Sequence, residues 1–246
     1  MRMREFSETI PKPLVPIGNH PILWHLMRYY AHYGHKEFIL CLGYRSDLIR
    51  AFVDGLSGRI SHDFISAVSG IQFEFPEEST EDWKITCVDT GLEASVGQRL
   101  RAVRSLVSDD EVFLANYVDG LADVPLTALV ERFIPSGKLA CFTSVRPQAT
   151  FHLVTADSDG TVTGIDHIRS GYLRMNGGFF ALRREIFDFI KEGDDLVDMP
   201  FRRLIEMSQL MTFRHDGFWA CMDTFRERQI LEDLCASGHA PWMVWK

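Results

Sequence analysis

Apolar residues recur at Ile22, Leu23, Leu26, Tyr30 and Tyr33, a helical spacing that stops at Gly34. The run "EFILCLGY" that follows reads as a buried strand, so the first clear unit is a helix feeding a strand. The alternation continues. Ser46 sits where it would cap an amphipathic "DLIRAFVDGL", "IQFEF" and "KITCV" have strand character, and "GQRLRAVRSLV" predicts a helix with its basic face outward. "EVFLANY" predicts a strong strand that ends at Asp119. Next come a Pro125-initiated helix in "PLTALVERFI", a strand in "KLACFTSV", a hairpin around "DSDG" and a strand in "MNGGFFAL". The tail carries one more strand, "LMTFRHD", and a helix from about Thr224 to Ala236. This rhythm predicts an α/β fold whose sheet is mostly parallel and flanked by helices. Residues 58–82 are less regular and read as solvated loop with one strand, a lid being the alternative.

The start of the chain breaks the rhythm. Pro11, Lys12 and Pro13 make a rigid bend beside a lysine, and Pro21 stands where a helix's first turn tolerates proline. No strand-like run comes before this loop, although a loop that holds a lysine in place normally hangs from a strand.

Composition narrows the class. With 246 residues, 46% hydrophobic and 24% charged, the chain is long enough to bury a full core, and residues 1–246 are expected to form a single domain. The net charge of −8 is spread along the chain, which disfavours a nucleic-acid partner and requires a local basic patch for any anionic ligand. The five cysteines never form CxxC and sit mostly in apolar runs, which suits buried thiols in a reducing compartment better than disulfides or metal ligands. No apolar stretch approaches the roughly 18 residues a membrane span needs. The expectation is therefore a cytoplasmic protein with no membrane partner.

Ligands of open α/β sheets bind where strands end and loops begin. Asp119 lies at the end of "EVFLANYV" and Asp223 just after "GFWACM", and the fold can bring two such carboxylates together. A pair of this kind, completed by water and substrate phosphate, is how Mg²⁺ is usually held. Helix capping is the alternative for each, Asp223 standing directly before "TFRERQILEDL". The loop "DTGLEASVGQRL" sets Thr90, Gly91 and Gly97 before a basic helix, which allows close backbone approach to a nucleotide or sugar. In "NGGFF", Asn176 beside Gly177 and Gly178 suits sugar hydroxyls, and a β-bulge accounts for it equally well. The histidines lack HxH or HExxH spacing, the tryptophans read as core or interface residues, and neither GxSxG nor a P-loop occurs.

Taken together, "ETIPKPLVPIGNHPILWHLMRYYAHYG", "FILCLGYR", "WKITCVDTG", "NGGFFAL" and "GFWACMDTFRERQILEDLCASGHAPW" resemble the sugar-1-phosphate nucleotidyltransferases nearly end to end, and "WKITCVDTG" and "GFW...MDT" resemble the cytidylyl branch. The resemblance implies a Rossmann-like mixed, mostly parallel sheet and transfer of a nucleotidyl group to a sugar 1-phosphate, with CTP and glucose 1-phosphate as the best matches and Mg²⁺ as cofactor. It implies a homo-oligomer. By register with the family, Arg2 corresponds to the phosphate-gripping loop arginine and Lys12 to the lysine at the reaction centre. Thr90, Gly91, Gly97, Arg99 and Asp119 fall on nucleotide contacts, Asn176, Gly177 and Gly178 on sugar contacts, and Asp119 and Asp223 on the metal. Departures are "VGQR" for the family's "TGGR", "YVDG" for "YGDG", and "GIDHIRSG" where many relatives carry a Glu-Lys-Pro element, which leaves Arg169 as either a substitute sugar-phosphate contact or a surface residue. The resemblance further implies that the family's N-terminal strand and GGxG loop are missing, so the reading frame is expected to continue upstream by roughly 10 to 15 residues. A catalytically inactive relative that binds nucleotide or sugar phosphate is the alternative reading.

Overall fold

The computed structural model describes residues 10–56, 82–148, 151–169 and 173–246. Arg2, the "IQFEF" strand and residues 58–81 of the irregular segment lie outside these. A turn of 3₁₀ helix at Lys12–Leu14 leads into β1 (Pro16–Ile17) and β2 (His20–Pro21), which pair antiparallel and deliver the chain to α1 (Ile22–His32). β3 (Glu37–Leu42) is followed by α2 (Ser46–Leu56), and β4 (Lys84–Asp89) pairs parallel with β3 over its full length. After α3 (Val96–Ala102) come β5 (Val112–Ala115), β6 (Gly120–Ala122), α4 (Leu126–Phe133) and β7 (Ala140–Val145). β8 (His152–Ala156) and β9 (Val162–His167) form the hairpin expected around "DSDG". The remaining elements are β10 (Met175–Asn176), β11 (Phe180–Arg183), α5 (Met199–Glu206), β12 (Leu210–Arg214), β13 (Trp219–Cys221) and α6 (Phe225–Ala236).

β7 is the axis of the largest sheet. β12 pairs parallel along one edge, β10 and β11 antiparallel along the other, and β11 in turn pairs antiparallel with β5. β5, β7 and β12 thus run one way with β11 reversed among them, a mixed sheet of the kind the sequence resemblance implies. The stretch "MNGGFFAL" predicts one strand, and the structure divides it in two. Asn176 stands opposite Ser144 but Ala181 opposite Cys141, so the register shifts by two residues and 177–179 leave the ladder. This is the bulge that the paired glycines allow. α5 has no counterpart in the sequence reading. It is a single short stretch with Pro200 in its first turn, and it buries Pro200, Phe201 and Leu204 along one stripe.

α1 is buried on almost every face, from Ile22 through Met27 and again at Tyr29, Tyr30 and Ala31, which its high apolar content permits. His25 is enclosed there with both ring nitrogens satisfied. Nε2 lies 2.8 Å from the Ile17 carbonyl, and the Trp242 indole donates to Nδ1 at 3.3 Å. The imidazole is therefore neutral, with Nε2 as its donor. Burial pushes its pKa down to about 4. Because the folded pKa lies below the unfolded one, the stability that this neutral histidine contributes is complete above about pH 6.5 and is lost as the pH falls toward 4, a change of about 3 kcal/mol. Urea unfolding of the wild type is expected to weaken steeply between pH 7 and pH 4.5, and His25→Gln, though less stable at pH 7, is expected to show a shallower slope. Equal slopes would contradict this assignment.

Candidate active site

The site is assembled by the pairing of two very short strands. β13 runs antiparallel to β6, with Cys221 opposite Gly120 and Trp219 opposite Ala122. That pairing sets Asp119 and Asp223, each just beyond a strand end, side by side, and the Asp119 carbonyl accepts the Met222 N–H at 2.9 Å. Sequence spacing cannot show this, since 104 residues separate the two acids. The Lys12 ammonium lies between them, 2.7 Å from Asp119 Oδ2 and 2.5 Å from Asp223 Oδ1. Burial alone would lower its pKa, but the two carboxylates outweigh burial and hold the ammonium above its ordinary value. Lys12 is thus a fixed positive charge across the neutral range.

The capping alternative for Asp223 does not hold. Thr224 caps α6 in a capping box, its side chain accepting from the Glu227 N–H while the Glu227 carboxylate accepts the Thr224 N–H at 2.8 Å. Asp223 precedes the cap and spends its carboxylate on Lys12 and on the Cys221 thiol, which donates to Oδ2 at 3.1 Å. Its side chain is 64% exposed, so the ion pair contributes little to folding. A cluster of two carboxylates and a thiol, all donor atoms within 4.8 Å of one another, with a side-chain cation already seated against both acids, fits a divalent metal.

These groups open onto a cavity of about 350 Å³ lined by Tyr117, Asp119, Gly120, Met175, Asn176, Gly177, Trp219, Cys221 and Asp223. Asn176 and Gly177 therefore reach the same space as the two aspartates, as the sequence reading requires. Asn176 donates to the Tyr117 hydroxyl at 3.3 Å and accepts the Gly178 N–H at 2.9 Å. Trp219 donates its indole N–H to the Gly177 carbonyl at 2.8 Å. Tyr117, Trp219 and Cys221 were not singled out from sequence. From sequence Trp219 reads as a core or interface residue, and Cys221 as one more thiol in an apolar run. For Tyr117 the signal was its place two residues before Asp119, at the end of the predicted strand.

Gly178 stands behind the cavity wall for a geometric reason. Its φ is +76°, and a Cβ there would lie 2.4 Å from Asn116 Oδ1, the acceptor for the Tyr117 and Phe179 N–H groups. Gly178→Ala is expected to cost about 2 kcal/mol in urea unfolding. An unchanged midpoint would show that the turn relaxes freely.

The other candidates are placed elsewhere. Thr90 and Arg99 meet at the C-terminal ends of β3 and β4. The Arg99 guanidinium donates to the Leu42 carbonyl at 3.1 Å and to Thr90 Oγ1 at 2.6 Å, and Thr90 Oγ1 donates in turn to the Leu42 carbonyl. Arg99 also reaches the Leu92 carbonyl, and the Gly91 N–H is taken by Asp89. Gly97 is buried in α3, where a Cβ would come within 2.5 Å of the Asp194 carbonyl, so close packing alone requires a glycine there. The Arg169 guanidinium donates to the Gln148 carbonyl at 2.6 Å, and Arg169 is not among the residues lining the cavity.

No model of a known protein family matches the chain. Curated relatives do. The chain is 34% identical over 246 residues to glucose-1-phosphate cytidylyltransferase of Salmonella typhi, a match that covers 100% of this chain and 95% of that enzyme, and equally so to the enzyme of the same description from Salmonella typhimurium. Among solved structures, UDP-glucose pyrophosphorylase from Acinetobacter baumanii superposes with a TM-score of 0.67 over 98% of this chain and 91% of its own, at 14% identity, which speaks for the fold. Full-length identity at this level shows that the chain belongs to the sugar-1-phosphate nucleotidyltransferases, within the family of the glucose-1-phosphate cytidylyltransferases.

Proposed function

We propose that this protein joins a nucleoside triphosphate, CTP, to a sugar 1-phosphate, glucose 1-phosphate, giving the nucleotide sugar and pyrophosphate. The observation that carries the reading is the meeting of Lys12 with Asp119 and Asp223, two acids that line one cavity, in a chain so related to cytidylyltransferases. A phosphate oxygen of the sugar phosphate attacks the α-phosphorus in line. The bond from that phosphorus to the bridging oxygen breaks, and pyrophosphate leaves with the electron pair. The nucleophile is already ionised, so no general base is required, and none of the histidines among the described residues lines the cavity. Positioning and electrostatic stabilisation supply the rate.

Asp119 and Asp223 hold Mg²⁺, which when bound supplies positive charge against the phosphates. Lys12 adds a fixed charge at the reaction centre, and Arg2 grips the departing phosphates. Thr90, Gly91 and Arg99, with Asp119, accommodate the nucleotide. Asn176 and Gly177, with Gly178 behind them, take the sugar side, and the Tyr117 hydroxyl and Trp219 ring that complete that wall suit the polar and apolar faces of a pyranose. The 246 residues act as one domain, in the cytoplasm, as a homo-oligomer. No helix among the described residues is long and apolar enough to cross a membrane.

Incubation with each common nucleoside triphosphate, glucose 1-phosphate and Mg²⁺, with pyrophosphate release as the readout, tests the proposal. Fastest release is expected with CTP. Binding of CTP without release under any combination would favour the inactive, ligand-binding alternative.

A further inference from the structure

The pairing of β5 with β11 ends where Ala115 stands opposite Phe180. One step further a side chain takes over from the main chain, and Asn116 Oδ1 accepts the Phe179 N–H at 2.9 Å. The same oxygen accepts the Tyr117 N–H, also at 2.9 Å. One side-chain atom therefore ties the segment that carries Tyr117 and Asp119 to the bulge that follows Asn176 and Gly177.

That bulge is held in an unfavourable conformation. Phe179 has φ +48°, in the left-handed region that a bulky side chain rarely adopts, and Gly178 before it has φ +76°. Such strain persists only where the surroundings over-determine it, and it collects at functional sites. Here the Phe179 ring is buried, stacked on Tyr30 with centroids 6.2 Å apart and edge-on to Tyr29 at 5.6 Å. Its N–H is taken by Asn116, and Gly178 leaves the space that the Asn116 oxygen needs. Without that oxygen two amides lose their acceptor, and aromatic packing alone must hold the left-handed turn.

The bulge in turn decides where the cavity wall lies. Asn176 accepts the Gly178 N–H and donates to the Tyr117 hydroxyl, so Asn116 and Asn176 clip Tyr117 to the bulge by its N–H and by its hydroxyl. We propose that Asn116 is a positioning residue for the sugar side of the site: it locks the left-handed turn at Gly178 and Phe179, and through it sets Asn176, Gly177 and Tyr117 against the acceptor sugar. Asn116 is not among the residues lining the cavity and acts through those that are. The inference rests on the assignment of this wall to the sugar phosphate. Asp119 has its own anchor in the bond from the Met222 N–H to its carbonyl, so the nucleotide side does not depend on Asn116.

Initial rates with glucose 1-phosphate and CTP varied in turn, beside hydrogen exchange of the ligand-free protein, test the assignment. Asn116→Ala is expected to raise the KM for glucose 1-phosphate roughly tenfold while the KM for CTP stays within about twofold, a split that general destabilisation does not produce. Exchange should quicken across residues 116–118 and 177–180 and stay slow elsewhere. Asn116→Asp keeps the acceptor and is expected to restore most of the lost affinity. Gly178→Ala places a Cβ 2.4 Å from Asn116 Oδ1 and should reproduce both effects, which keeps the test decisive if Asn116→Ala does not fold. Leu204→Ala, in the buried stripe of α5, is the stability control and should leave both KM values unchanged. A glucose 1-phosphate KM unmoved by Asn116→Ala and Gly178→Ala, raised as much by Leu204→Ala, or no better in Asn116→Asp than in Asn116→Ala would overturn the proposal. If the wild type turns over no sugar 1-phosphate, the proposed function fails instead, and exchange alone decides whether Asn116 locks the bulge: faster exchange there supports the lock and unchanged exchange overturns it.

Discussion

Asp223→Asn is expected to lower turnover by roughly 10²-fold or more while leaving the fold intact, because it removes a metal-holding charge from a site where electrostatics dominates. Two observations separate activity from stability here. The carboxylate is largely exposed, so its ion pair with Lys12 adds little to folding, and α6 keeps its cap through Thr224 and Glu227. Asparagine preserves the size of the side chain and its capacity to accept a hydrogen bond from Lys12, leaving charge as the main difference. Asp119→Asn is expected to behave alike. Steady-state rates at saturating Mg²⁺, with urea midpoints alongside, measure both effects. A variant that keeps near wild-type turnover would remove Asp223 from the metal site.

Lys12→Met is expected to act in opposite directions on two quantities. Turnover should fall by roughly 10² to 10³-fold, the scale of losing one preorganised positive partner of a reacting oxyanion. Mg²⁺ affinity in the absence of nucleotide should rise, because the ammonium now shared by Asp119 and Asp223 competes for the same oxygens, and its removal leaves two like charges in need of a counter-ion. Methionine keeps the length and apolar stem of the lysine, so packing around the 3₁₀ turn is largely retained. Calorimetric Mg²⁺ titration measures the second effect. Unchanged or weaker Mg²⁺ binding, or undiminished turnover, would mean that Lys12 does not stand between the metal and the phosphates.

The helix at α1 and the strand β7 were legible because their apolar spacing is unambiguous and their burial agrees with it, and β3 and β5 from their apolar runs, although β3, expected to be buried, is fully buried only at Leu42 and β5 is half-buried throughout. Lys12, Asp119 and Asp223 were legible as candidates from their places beside strand ends and a proline-stiffened loop, but their contact was not. It depends on β6 pairing with β13, strands of three residues each that leave almost no periodic signal. The division of "MNGGFFAL" was hidden for a related reason. Pattern shows that a glycine pair interrupts a strand but not by how many residues the register shifts. Gly97 and Arg99 show the opposite difficulty, since residues that looked free to meet a nucleotide carry local packing and loop-tying duties. Cys221 is the clearest omission. An apolar run conceals a thiol whose neighbours are fixed only by cross-strand pairing.

The most direct test of nucleotidyl transfer is to follow CTP, glucose 1-phosphate and Mg²⁺ with the protein by phosphorus NMR. The expected result is loss of the glucose 1-phosphate resonance matched by equal growth of the nucleotide-sugar diphosphate and pyrophosphate signals, and no loss of CTP when the sugar phosphate is left out. CTP unchanged in the complete mixture, or consumed equally well without glucose 1-phosphate, would contradict the account.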